Sequence, residues 1–179
     1  YNTGDGILAA LKIRATLFGD LGGCHSTPQN SNLEPFMLPG SNNESQSNSR
    51  YCFNIGITVN KNGERFIDEG QDFPNFVYAK FGAEIVKQPG KIAFQIFSND
   101  IVRYLPKCYF SGNNLFIFNS IHKLSLKFDV SVTNLTQTIS KFNAGLLSER
   151  YTEKLDRLST IGVLPPKTNW ARKLDVPPF

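Results

Sequence analysis

The side chains able to do chemistry by themselves are few: the 179 residues include two histidines and three cysteines. His25 follows Gly22-Gly23-Cys24 and His122 stands alone, so a metal site built on several imidazoles is excluded and no metal is expected. Cys24, Cys52 and Cys108 lack C-x-x-C spacing and leave one over in any disulfide scheme. They read as reduced, packed thiols, which places the protein in the cytoplasm. Cys24 beside His25 does not make a nucleophile–base pair, because that pair needs spatial geometry that adjacency in the chain does not provide. Gly4 and Gly6 begin a G-x-G pattern with no strand before it. Neither a G-x-S-x-G elbow nor a P-loop occurs.

These residues need a scaffold, and composition describes one. Hydrophobic residues make up 40% and charged residues 19%, in a length that suits one domain with a core. The formal charge is +4. Lys and Arg are scattered rather than clustered, which fits an anionic small substrate and argues against nucleic acid. No apolar run approaches the ~20 residues of a membrane span, so none is expected.

Thr3 or Asp5 is placed to cap a helix running to about Leu17, ended by the glycines at 19, 22 and 23. A helix at the first residues without a start Met is expected in a piece of something longer. Residues 26–50 are rich in Ser, Asn and Pro and read as a polar loop or insertion. Phe53, Ile55, Ile57 and Val59 alternate as one face of a half-buried strand. Asn60-Lys61-Asn62-Gly63 then signals a hairpin, with Arg65-Phe66-Ile67 as the return strand. Phe73, Val77, Phe81 and Ile85 recur every four residues, with Pro74 in a first-turn position, and predict a helix to about Lys87.

A strand is expected over Ile92 to Phe97, a short helix over Asp100 to Leu105 and a short strand over Leu115 to Phe118. Ile121 to Phe128 reads as a helix, and Leu135, Ile139, Phe142 and Leu146 mark one face of a longer one. The proline-rich tail from Leu164 is expected to be extended over another surface. The class is α+β: a small antiparallel sheet with several helices.

Taken in order, several segments carry a resemblance. Thr3-Gly4-Asp5-Gly6-Ile7 opens a helix, and Gly23-Cys24-His25 follows about twenty residues later. Asn60 through Arg65-Phe66 to Glu69 forms an N-x-x-G-x-R-F-x-x-E hairpin. Tyr78-Ala79-Lys80, Gln88-Pro89-Gly90, Phe94-Gln95-Ile96-Phe97, Phe142-Asn143 and Pro166-Lys167-Thr168-Asn169-Trp170-Ala171 continue the series. Together they resemble the flavoproteins of the succinate dehydrogenase/fumarate reductase superfamily, and look most like its FAD-dependent tricarballylate dehydrogenase-type members. The resemblance covers nearly the whole chain outside the polar loop.

The resemblance implies a flavoprotein capping domain. Residues 1–25 would be the remnant of an FAD-binding domain, 26–50 the polar loop, 51–163 the cap that covers substrate, and 164–179 a segment returning toward the FAD-binding domain. The implied reaction oxidises or reduces a carbon–carbon bond next to carboxylates in a small di- or tricarboxylic acid, by hydride exchange with FAD. The implied partners are that carboxylic acid and the FAD-binding domain. The chain alone is expected to be inactive, because the dinucleotide fingerprint lies outside it.

Asp5 is carried over as an FAD contact, alongside its reading as a helix cap. His25 is carried over as a substrate-carboxylate ligand. Arg65 and Glu69 read as an ion pair fixing the hairpin turn. The arginine that these flavoproteins place shortly after the glutamate is replaced here by Phe73 and Pro74, so the catalytic residue is left unassigned, with Arg50 and Arg103 as cations able to stand in. The alternative is a non-catalytic module, derived from the same cap, that binds a ligand or a partner protein.

Overall fold

A computed structural model describes residues 3–32, 48–110, 115–146 and 158–179. The elements run α1 (Asp5–Lys12), β1 (Ile57–Val59), α2 (Pro74–Val86), β2 (Phe94–Ile96), α3 (Asn99–Val102), α4 (Ile121–Phe128) and α5 (Val132–Ala144), with single 3₁₀ turns at Cys52–Ile55, Pro89–Lys91 and Lys107–Tyr109. The expected α+β class is what is found. Strands β1 and β2 pair antiparallel, with Ile57 opposite Ile96, Thr58 opposite Gln95 and Val59 opposite Phe94.

Burial follows from which faces are apolar. α4 and α5 are capped by Ser120 and Ser131, whose hydroxyls accept from the Lys123 and Asn134 N–H groups. They press Leu124, Leu135, Ile139 and Phe142 onto Ile57, Val59 and Ile96 of the sheet, and Ala171 and Leu174 of the tail close that core. A second cluster joins Phe81 of α2 to Phe53 and Ile67. The Phe53 and Phe81 rings stack at 3.8 Å between centroids. A third gathers Phe97, Leu105 and Tyr109.

Several expectations are corrected. The predicted strand from Phe53 is a 3₁₀ turn over Cys52–Ile55, and extended pairing starts only at Ile57. Phe53 is turned toward Phe81, and the backbone of Gly56 lies so close to Ile96 that a Cβ there would stand 2.5 Å from its carbonyl oxygen. The Asn60–Gly63 turn forms, with Gly63 at φ 78° and the Asn60 carboxamide oxygen accepting from the Asn62 and Glu64 N–H groups. Its return strand shrinks to one bridge between Val59 and Arg65. Beyond Arg65 the chain leaves β1, whose ladder is made with β2 on the other edge.

Leu115 to Phe118 is not a strand; Phe118 alone exchanges two backbone hydrogen bonds with Phe179, at 2.8 and 2.7 Å. α1 ends at Lys12, short of Leu17, and buries no side chain. Neither Thr3 nor Asp5 caps it: Gly4 occupies the cap with φ 86°, and the Thr3 hydroxyl donates to the Asp5 carboxylate at 2.7 Å. Most of the polar loop, residues 33–47, lies outside the described residues.

The tail is extended, as expected, and packs on the described domain itself. The Leu158 carbonyl accepts from the Ala171 N–H at 2.9 Å, closing a loop whose interior is pinned by Thr160 and Lys167. Farther along, the Val176 carbonyl accepts from the Asn99 N–H and the Ser98 hydroxyl.

Candidate functional site

Among the described residues, Arg65, Glu69 and Lys167 are the most deeply buried charged side chains. Arg65 donates through Nε to Glu69 Oε1 at 3.0 Å and through Nη2 to Oε2, with side chains 2% and 0% exposed. The same guanidinium reaches the Pro165 carbonyl at 2.7 Å and the Pro166 carbonyl at 3.1 Å. Its face lies 5.0 Å from the Phe142 ring centroid. Lys167 donates to the carbonyls of Asn54 at 2.7 Å and Gly56 at 2.6 Å. Burial lowers its pKa to about 8, against the opposing pull of Glu69.

Around this group, Thr168 donates from its backbone to Asp68, and Asn169 donates to the Gly70 carbonyl. Arg65, Glu69 and Lys167 are buried, and each pairs with protein groups. The Arg65–Glu69 ion pair forms as the sequence reading expected, and beyond that reading it also fixes the tail to the hairpin. Sequence reasoning missed Lys167 as a member. A lone lysine between Pro166 and Thr168 carries no periodic signal, and only the closed loop places it.

His25 lies elsewhere, exposed, with its ring edge-on to Tyr78 of α2 at 5.1 Å. Tyr78 in turn stacks on Tyr51 at 5.1 Å. The His25 segment is seated by Gly82 of α2, where a Cβ would come within 2.5 Å of the Ser26 carbonyl carbon. Three residues on, this segment pairs with the far end of the polar loop: Gln29 bridges Ser49, and the Arg50 N–H donates to the Pro28 carbonyl at 2.9 Å. The two ends of the loop thus form a neck that carries His25 on one side and Arg50 on the other.

Behind the neck stands Tyr109, 5% exposed. Its hydroxyl accepts from the Cys52 N–H at 2.9 Å and donates to Gln95 Oε1 at 3.0 Å. Gln95 donates to the Arg50 carbonyl at 2.8 Å. The Arg50 guanidinium lies over the Tyr109 ring at 4.9 Å. Burial pushes both the Tyr109 hydroxyl and the Cys52 thiol up from their ordinary pKa values, so both are neutral at pH 7.

The remaining candidates are separate from this neck. Arg103 is exposed on the far side of α3, over the Tyr104 ring. Phe73 sits at the start of α2, exposed, with its ring 5.3 Å from that of Trp170, and Pro74 is the first residue of the helix. Asp5 is exposed at the start of α1, beside Gly4, around which a Cβ would meet nothing. An exposed carboxylate at an open helix start suits a hydroxyl-bearing group such as the ribityl or ribose of a flavin. A whole flavin site would need more than this one carboxylate, and the described residues include no parallel-sheet layer to supply it. Among the described residues there is no cluster of His, Cys, Asp and Glu able to hold a metal, and no helix long and apolar enough to cross a membrane.

No protein-family model and no curated protein matches the sequence. Among solved structures, the chain is similar to the open conformation of a flavocytochrome c3 fumarate reductase, with a TM-score of 0.57 and 22% sequence identity. The match takes in 98% of this chain. The chain has the fold of part of that protein. It spans 27% of that protein's length, about a quarter.

Proposed function

We propose that this chain is the capping part of an FAD-dependent oxidoreductase of the dehydrogenase or fumarate reductase type. One observation carries the reading: a flavocytochrome c3 fumarate reductase shares its fold over 98% of the chain. Bound FAD supplies hydride exchange with a substrate carbon. The substrate class is a small di- or tricarboxylic acid, with tricarballylate-type acids included. In this reading residues 1–25 belong with the FAD-binding domain, 26–50 form the polar loop, 51–163 the cap, and 164–179 the returning segment. The buried hold on Pro165 to Asn169 supports treating the first part of that segment as fixed to the cap.

His25 is the substrate-carboxylate ligand, raised on Tyr78 at the loop neck. Asp5 is the flavin contact at the start of α1. The exposed Ile7, Leu8, Leu11, Phe18 and Leu21 support burial of this region against the FAD-binding domain. A dry site under such a cap strengthens the fixed charges that hold a carboxylate. The isolated chain is inactive in this reading, because it holds one corner of the flavin site.

A second reading, a non-catalytic module that binds a ligand or partner, is favoured by the exposed Phe73 ring beside half-buried Trp170, which supplies neither a proton nor a charge. The flavin spectrum separates the two. A form extended at both ends should bind FAD and oxidise or reduce a small dicarboxylate, and the 179-residue chain should do neither. An extended form that folds but holds no flavin leaves the binding module as the reading.

A further inference from the structure

We propose that the cleft between α5, the Asn60–Gly63 turn and the loop 158–167 binds a free α-amino acid with an apolar side chain. Glu64 meets its ammonium and Lys141 its carboxylate. The inference goes beyond the flavin reading and does not depend on it.

Three segments tied to one another leave this cleft open. Asn134 Nδ2 donates to the Asn62 carbonyl at 3.0 Å and the Thr138 hydroxyl to the Gly63 carbonyl at 2.7 Å, which joins α5 to the turn. The Ile161 N–H donates to the Gly145 carbonyl at 2.7 Å, which joins the loop to the end of α5. Arg65 reaches the Pro165 and Pro166 carbonyls, which joins the hairpin to the loop. Between these ties lies a cavity of about 810 Å³. Its size and its pre-formed walls are those of a small-molecule site.

The walls differ in character. Leu135, Ile139 and Phe142 of α5 face the core, whereas Asn134, Gln137, Thr138 and Lys141 recur at three- and four-residue spacing and line the cavity. Asn134 and Thr138 are committed to the turn, and Gln137 and Lys141 are left to face the cavity. Glu64, the residue after the turn, lines the same cavity. Neither Glu64 nor Lys141 joins an ion pair among the described residues. The loop supplies an apolar wall of Ile161, Val163 and Leu164, with Ile161 64% and Leu164 92% exposed.

One acid, one base and an apolar wall around a single cavity select for a zwitterion. A plain carboxylic acid would be drawn to Lys141 but repelled by Glu64, and a plain amine the reverse. An α-amino acid gives each charge its opposite partner. The Gln137 carboxamide offers both a donor and an acceptor to the same end of the ligand. An apolar side chain then buries its surface on the loop wall.

Leucine, serine, leucinamide and isocaproate are the probes, titrated into the isotope-labelled 179-residue chain and followed by NMR. Leucine should move the Gln137 side-chain amide and the Gly162 N–H signals saturably. Leucinamide lacks the carboxylate and isocaproate the ammonium, so each should bind about tenfold more weakly through loss of one charge-assisted contact. Serine should also be weaker, for want of the apolar contact. Glu64→Gln should equalise leucine and isocaproate, and Lys141→Gln should equalise leucine and leucinamide. Ile161→Ser should narrow the gap between leucine and serine. Each ratio is read on one protein at a time, so a change in stability alone leaves it unmoved.

Wild-type chain that shows no saturable shift with leucine up to about 10 mM, roughly tenfold above the weak end of ordinary metabolite sites, overturns the proposal. Equal binding of leucine and isocaproate by wild type overturns it too. So does a leucine preference that survives both Glu64→Gln and Lys141→Gln, or a response confined to signals outside the cavity.

Discussion

Arg65 and Glu69, four residues apart, form an ion pair from which water is excluded, and Glu69 also accepts the Thr58 N–H at 2.8 Å. The pair therefore ties three segments: strand β1, the hairpin and the tail at Pro165 and Pro166. Removing one member leaves an uncompensated buried charge, which costs about 3–5 kcal/mol. Arg65→Met and Glu69→Gln should each lower the urea midpoint accordingly, and Arg65→Lys should not rescue, since an ammonium lacks the fork that spans carboxylate and carbonyls. The double variant Arg65→Met, Glu69→Leu should recover part of the loss. Single variants within 1 kcal/mol of wild type would show that the pair carries little.

Lys167 gives the fold a pH dependence of definite sign. Its folded-state pKa is about 8, below the 10.5 of an unhindered lysine. Between those values the unfolded chain holds more protons than the folded one, so stability rises with pH through this window. The full effect is on the order of 3 kcal/mol. Tyr109 acts oppositely at higher pH, because its hydroxyl is pushed up on burial. Denaturation of wild type and Lys167→Met from pH 7.5 to 10.5, compared pairwise, isolates the lysine. The wild-type advantage should grow with pH; an advantage that shrinks refutes the assignment.

Much of the helical frame was legible in the sequence. α2, α4 and α5 follow from apolar residues at three- and four-residue spacing, which survives whatever packs against it. Strand pairing was less so, because the partner of β1 is set by what happens beyond the turn. Arg65 and Glu69 carry the chain inward after one bridge to Val59, and the ladder of β1 is made on its other edge with Phe94–Ile96. The apolar run Leu115–Phe118 had the composition of a strand, yet the one strand-like contact it makes is to Phe179, at the far end of the chain.

The site divides in the same way. Arg65 and Glu69 were readable as a pair because they sit in one short motif. Lys167 and Tyr109 were not, since Tyr109 holds Cys52 from 57 positions away and Lys167 holds Asn54 from 113. Local pattern carries no record of contacts at that separation.

Phe53 and Phe81 offer a test of the second cluster by itself. Both rings are fully buried and stacked, and they join the 3₁₀ turn after the loop neck to α2. Phe81→Ala should cost about 3–5 kcal/mol, the range for a large side chain removed from a packed core. Phe81→Leu should cost less than half as much. Thermal unfolding by circular dichroism checks both, and equal losses would mean that ring stacking rather than filled volume dominates.

Gly82 sets two effects against each other. Alanine in a helix interior is favoured over glycine by about 1 kcal/mol from propensity alone. Here the added Cβ would stand 2.5 Å from the Ser26 carbonyl carbon and oxygen and 2.7 Å from the Thr27 nitrogen. Those are backbone atoms and cannot rotate away, and overpacking of this kind costs about 1–3 kcal/mol. The clash should win. Segment 24–28 then lifts from α2, and the His25 ring leaves the edge of Tyr78. The His25 Cε1–H resonance should lose its ring-current shift, and succinate affinity should fall with it, while the signals of the Phe53–Phe81 stack stay in place. If Gly82→Ala raises the melting point and leaves the His25 resonance unmoved, the segment is not held on α2 by this close approach.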